Sequence, residues 1–148
     1  RAPRKGEVDG VNYFFLTREE FDRRVANGEF VEWAEVHGNC YGTLVSEVTS
    51  KLASGSSLIL EIDVQGALQV KERFPEAVLI FIKPPSLEVL RERLVGRGTE
   101  TPETIELRMA NAADELALAD RYDDVVVNDD LDRATDELVR VLDMHERI

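Results

Sequence analysis

The chain has 148 residues, 43% hydrophobic and 32% charged, the size and make-up of one soluble globular domain able to bury a core. Its net charge of −12 argues against nucleic-acid binding, which needs clustered cations, and no apolar run approaches the ~20 residues of a membrane span. A single cysteine, Cys40, excludes an internal disulfide framework and fits a reducing cytoplasm, and His37 and His145 lie too far apart to suggest a metal site.

The chain opens on Arg1-Ala-Pro-Arg4-Lys-Gly6-Glu7, which sets two planar guanidinium forks beside a proline and a glycine. Such forks suit bidentate contact with a small oxyanion, although a solvated basic loop has the same composition. Residues 13–15 read as a short strand. Thr17-Arg-Glu-Glu20 is a capping box that starts a helix closed by Gly28. Residues 30–36 alternate like a half-buried strand, and His37-Gly38-Asn39 turns the chain into a second strand over 40–43. A two-turn helix over 46–53 follows.

The pattern then changes. Residues 57–63 are almost continuously apolar until Glu61 and Asp63, as in a strand buried on both faces of a parallel sheet. A helix over 64–74 stops at Pro75, and a second buried strand over 78–82 ends at Pro84-Pro85. Ser86 caps a helix over 87–95 that Gly96 closes, residues 97–101 form a loop, and Pro102 starts a longer helix to about 118. A third buried strand over 125–127 and a terminal helix over 131–146 complete the order. From residue 57 this alternation predicts an α/β fold with a parallel sheet and right-handed crossovers. Residues 1–56 form a separate, more antiparallel insert. Ligands bind at the carboxyl ends of such strands, where Glu61, Asp63, Lys83 and Asn128 stand.

Charge is uneven along the chain: residues 109–148 hold twelve acids against four arginines, so an anionic ligand must be held by local arginines. Arg91, Arg93, Arg97 and Arg108 surround the Gly96–Thr101 loop, where they could neutralise charge developing on a transferred phosphoryl group. Glu32 could accept two hydrogen bonds at once, which matches the adjacent N1–H and exocyclic amine of guanine, and the Thr43 hydroxyl could donate to guanine O6. Alone, Glu32 reads more readily as a surface carboxylate. Glu61 and Asp63 could hold a Mg²⁺ or its waters, or simply emerge from the sheet.

Together these residues resemble the guanylate kinase family. The matching strings are Arg1-x-Pro-Arg4-x-Gly6-Glu7-Val-x-Gly10-x-x-Tyr13-x-Phe15, Glu32-Trp-Ala-Glu-Val, Gly38-Asn-x-Tyr41-Gly42-Thr43 and Ile62-Asp63-x-Gln65-Gly66. Pro84-Pro85-Ser86, Gly96-Arg97-Gly98-Thr99-Glu100-Thr101 and Val127-Asn128-Asp129-Asp130 follow in order. The resemblance implies a P-loop-kinase-like parallel sheet with helices on both faces, over one domain spanning 1–148. A small mixed α+β GMP-binding subdomain occupies 1–56, and a core over 57–148 carries a lid at about 91–108. The implied reaction transfers the γ-phosphoryl of ATP to GMP with Mg²⁺, giving GDP and ADP. Arg1, Arg4, Tyr13 and Tyr41 would then hold the GMP phosphate, and Glu32 and Thr43 would read guanine. Glu61 and Asp63 would serve the metal, directly or through water, and the acceptor. Arg93, Arg97 and Arg108 would act on the ATP phosphates and the transferred group, with Asn128 near adenine.

Two departures qualify this. The family more usually has Asp at the position of Glu61. More importantly, none of the four lysines follows a glycine, so the Gly-x-x-x-x-Gly-Lys-Ser/Thr phosphate loop is not among these residues. The family places that loop, with its strand and helix, ahead of the string that begins at Arg1. Its strand lies between those corresponding to 57–63 and 78–82, so these residues alone are expected to be poorly stable, or to leave those two strands not directly paired. The expectation is a piece of a kinase, inactive alone. The alternative is a non-catalytic guanylate-kinase-like module that binds phosphopeptides or GMP. Arg1, Arg4, Glu32 and the lid arginines favour the enzyme, because a peptide binder needs neither a guanine reader nor an ATP lid.

Overall fold

A computed structural model describes residues 1–36 and 38–146. They divide into two compact units, Arg1–Pro75 and Glu76–Ile148.

In the first unit, Thr17 starts α1 (Arg18–Ala26) by accepting a hydrogen bond from the Glu20 N–H at 3.2 Å, as its capping box requires. Strands β1 (Phe30–Val36) and β2 (Asn39–Leu44) then pair antiparallel. The predicted turn residue His37 lies outside the described residues. The register slips between Phe30 and Glu32, so Phe30 faces Leu44 while Glu32 faces Thr43. That irregularity breaks the expected alternation, because Phe30, Val31 and Glu32 are all buried in succession. Helix α2 (Val45–Ala53) follows β2 directly, and α3 (Val64–Arg73) packs on β1. Phe21, Phe30, Val31, Val48, Val64, Ala67 and Val70 make the core of this unit.

Two expected strands are not formed. Residues 13–15 hold only an isolated bridge between Asp9 and Tyr13. Residues 57–63 belong to no strand, and Ile59 is 68% exposed. An apolar run becomes a buried strand only when neighbours take up its backbone groups, and among the described residues this segment has no strand pairing.

In the second unit, β3 (Ile80–Lys83) and β4 (Asp124–Val127) pair in parallel, from Ile80 opposite Asp124 to Lys83 opposite Val127. Helices α4 (Leu87–Arg97) and α5 (Pro102–Ala117), then a short 3₁₀ turn, connect the two strands. This helical crossover between parallel strands is the α/β arrangement that the alternation predicts. Helix α4 runs two residues beyond its expected end at Val95, through Gly96 to Arg97, and Gly98 ends it instead with φ of 66°. The predicted loop at 97–101 is correspondingly shorter. The terminal helix α6 (Leu131–Glu146) packs on β4. Leu79, Phe81, Leu94, Ile105, Val126 and Ala134 are buried here. Among the described residues no helix is long and apolar enough to cross a membrane.

Candidate functional site

The first unit gathers one group of the expected residues around a cavity of about 400 Å³, whose lining includes Arg1, Tyr13, Tyr41 and Thr43. Residues 4–7 form a tight turn, closed by the Glu7 N–H donating to the Arg4 carbonyl at 3.0 Å. Gly6 makes the turn possible with φ of 89°, a region that side-chain-bearing residues avoid. The turn brings the Glu7 carboxylate back to Arg1, whose Nη1 and Nη2 donate to Oε1 and Oε2 at 2.7 and 2.9 Å. Glu7 Oε1 also accepts the Arg4 N–H at 2.7 Å. The bonds from Arg1 and then from Arg4 hold the Glu7 carboxyl far below its usual range, at about 2. The same bond raises the Arg1 guanidinium above its ordinary value, so this pair stays fully charged at neutral pH.

The Arg1 guanidinium also stands 5.3 Å from the Tyr13 ring centroid, in cation–π contact. The Tyr13 and Tyr41 rings meet edge to face at 6.4 Å. Arg1, Tyr13 and Tyr41 therefore form one contiguous wall. Arg4 stands apart, with an exposed side chain and its backbone N–H and carbonyl engaged in the turn.

Glu32 is not the outward-facing residue that strand alternation implies. It is 8% exposed, and its Oε1 accepts the Thr43 hydroxyl at 2.7 Å. Burial pushes its carboxyl pKa up, the Thr43 bond works against that rise, and the Asp63 charge adds to it. The pair depends on Gly42, since a Cβ there would stand 2.7 Å from the Phe30 ring and 2.9 Å from the Glu32 carbonyl oxygen. Only a glycine lets β2 approach β1 closely enough to set Thr43 against Glu32.

Asp63 caps α3, its Oδ1 accepting the Gly66 N–H at 2.8 Å. Glu61 is exposed in the unpaired segment before it. No cluster of three or more His, Cys, Asp or Glu suited to a metal ion occurs among the described residues. Two carboxylates are nevertheless a donor set that fits Mg²⁺, which takes one or two protein oxygens and completes its shell with phosphate and water.

The second unit holds the remaining expected residues. Arg93 donates from Nη1 to the Asn128 carbonyl at 2.9 Å and from Nη2 to the Asp129 carbonyl at 3.4 Å, so α4 is tied to the chain just after β4. Arg97 lies four residues further along the same helix with an exposed side chain. Arg108 on α5 pairs with Glu100 at 3.0 Å, and Arg91 pairs with Glu106. Helices α4 and α5 pack on each other and carry all four arginines. Sequence reasoning gave no role to Glu7, Glu100 or Glu106. Glu7 had a legible signal, an acid three residues from Arg4 across Gly6, whereas Glu100 and Glu106 needed the α4–α5 packing to find their partners.

The guanylate kinase family model matches residues 1–145. A guanylate kinase from Halalkalibacterium halodurans is 54% identical over 142 residues, which cover 96% of this chain and 70% of that protein. One from Gloeobacter violaceus is 56% identical over 142 residues, covering 96% and 69%. The crystal structure of guanylate kinase from Anaplasma phagocytophilum superimposes with a TM-score of 0.73 at 40% identity, over 97% of this chain and 70% of that one.

Proposed function

The chain belongs to the guanylate kinase family, and on that premise we propose how its residues serve Mg²⁺-dependent phosphoryl transfer from ATP to GMP. The reaction gives GDP and ADP. The observation that carries the assignment of residues is the Glu32–Thr43 pair, a buried carboxylate and a hydroxyl side by side on β1 and β2. A buried carboxylate accepts from the guanine N1–H and 2-amino group together, and the hydroxyl turns to donate to O6. Adenine offers no such pair of donors. A phosphopeptide-binding module has no use for this pair, which is why the catalytic reading is preferred.

Arg1, Tyr13 and Tyr41 supply the grip on the GMP phosphate, with Arg4 reaching in from the turn. Glu7 occupies the end of the Arg1 fork, which leaves the Nε edge of the guanidinium for a phosphate. Arg93, Arg97 and Arg108 form the lid that neutralises charge on the ATP phosphates and the transferred group, and Asn128 lies toward the adenine. Positioning and charge neutralisation do most of the work in this chemistry, so no strong base is required. Glu61 and Asp63 would hold Mg²⁺ through its waters, and the ion when bound screens the charge between donor and acceptor phosphates. The setting is the cytoplasm, where both nucleotides are at hand, and the free thiol of Cys40 suits it.

The 148 residues contain no Gly-Lys step, so they do not supply the backbone cradle for the donor phosphates. By themselves they are expected to bind GMP and turn over no ATP. Calorimetric titration with GMP, AMP and IMP tests the site, with GMP expected to bind best. Equal affinity for GMP and AMP would overturn it, and rapid turnover in a coupled ATP/GMP assay would overturn the assignment of the donor cradle elsewhere.

A further inference from the structure

Gly66 sits at the third position of α3, with a φ outside the left-handed region, so its backbone does not call for glycine. Glycine in a helix is destabilising relative to alanine, so some other constraint must keep the side chain away. The surroundings supply it. A Cβ built on Gly66 would stand 2.9 Å from Glu32 Oε2, 3.2 Å from Asp63 Oδ1 and 3.4 Å from Ile62 Cβ. The shortest of these is closer than a real Cβ contact, so the atom that must move is the Glu32 carboxylate.

Glu32 has little freedom to yield. It is buried, and its other oxygen accepts the Thr43 hydroxyl at 2.7 Å. A displacement of a few tenths of an ångström away from α3 is small for the fold. It is large for two hydrogen bonds that must both fall within the usual 2.7–3.2 Å.

We infer that Gly66 is a specificity-positioning residue: its missing side chain lets Glu32 rest against α3 in the one pose that meets both donors on the guanine edge. The inference rests on the reading of Glu32 as the base reader. Gly66 touches no nucleotide and acts only through the Glu32 carboxylate.

The test is a double-mutant cycle on the 148-residue chain, using Gly66→Ala, Glu32→Ala and the double variant. GMP and IMP affinities are read by calorimetry, and thermal melts are recorded beside them. IMP lacks the 2-amino group, so it reports the loss of one of the two donors. Gly66→Ala is expected to weaken GMP about tenfold and IMP less, collapsing the preference between them, while the melting temperature holds or rises because alanine is the better helix former. In the Glu32→Ala background the same change is expected to leave GMP affinity unaltered, and any loss of folding caused by Gly66→Ala alone is expected to be relieved. A GMP-to-IMP preference within twofold of wild type in a folded Gly66→Ala chain overturns the inference. So does a loss that persists undiminished in the double variant. If the wild-type chain shows no preference for GMP over IMP, the reading of Glu32 itself falls, and this inference with it.

Discussion

Arg1 and Glu7 meet end to end, two guanidinium nitrogens on two carboxylate oxygens at 2.7 and 2.9 Å, while the same guanidinium lies over the Tyr13 ring. A long, flexible arginine is thereby fixed before any phosphate arrives. Preorganisation of this kind lowers the cost of binding. Glu7→Gln should leave the fold intact and weaken GMP about tenfold, since one charge-assisted bond and the orientation it enforces are lost. Calorimetry with GMP and with guanosine separates the two possibilities. Only GMP, which carries the phosphate, should be affected.

The same carboxylate sets an acid limb on stability. Glu7 is held at about 2 in the folded chain against 4.5 as its ordinary value, so the folded state binds its proton less readily than the unfolded one. Its contribution is complete above about 4.5 and is lost as pH falls toward 2. Denaturant midpoints of wild type and Glu7→Gln measured from pH 6 to pH 3 should converge at the acid end. Parallel curves would show that the pair contributes nothing to folding.

Glu32 should behave in the opposite sense. Its pKa is raised by burial, so the folded chain favours the protonated form and whatever stability this group contributes is lost as pH rises through the raised value. Guanine recognition needs the carboxylate, and so weakens as pH falls through that same value. Glu32→Gln should therefore equal or exceed wild type in stability at neutral pH while losing about 10²-fold in GMP affinity. Melts and titrations on the same samples make the comparison direct.

Gly42→Ala is a structural counterpart to the change at Gly66. Here the intruding methyl would meet the Phe30 ring at 2.7 Å and the backbone oxygen of Glu32 at 2.9 Å, neither of which can swing aside cheaply. Overpacking of this kind costs about 1–3 kcal/mol. Urea unfolding followed by tryptophan fluorescence of Trp33, which lies opposite Gly42, reports it directly.

Much of this was legible in the chain. The caps at Thr17 and Ser86 and the proline at 102 stand before helices whose starts follow from local chemistry alone, whereas the caps at Asp63 and Thr101 were not read. The 57–63 segment was not, because its apolar pattern says what it would bury and not whether a neighbouring strand is there to pair with. Glu32 was legible as a candidate reader, but its burial was not, for a different reason. The register slip at Phe30 reverses the face on which it falls, and no residue pattern announced that slip. Arg97 became a same-face neighbour of Arg93 once α4 ran through Gly96, which tolerates helix as readily as it ends one.

The proposed lid role of Arg97 and Arg108 calls for a polypeptide in which these residues accompany a Gly-Lys-Ser/Thr phosphate loop. There, Arg97→Ala and Arg108→Ala should each lower kcat by about 10²–10³ with little change in GMP affinity. Glu100→Gln should have a milder effect, since it removes only the partner that parks Arg108 at 3.0 Å. Single-turnover kinetics separate the chemical step from release.

Among the described residues no buried side-chain nitrogen or oxygen lacks a hydrogen-bond partner, and the Thr43 hydroxyl already donates to Glu32 Oε1. An incoming base therefore relieves no pre-existing debt. The right one exchanges a bond inside the protein for bonds to itself, a nearly even trade. The wrong one breaks the internal pair and returns nothing. On the proposed reading of Glu32 and Thr43, selectivity rests on a penalty for misfits more than on a reward for guanine, so rejected nucleotides should leave quickly while GMP itself is held only moderately tightly.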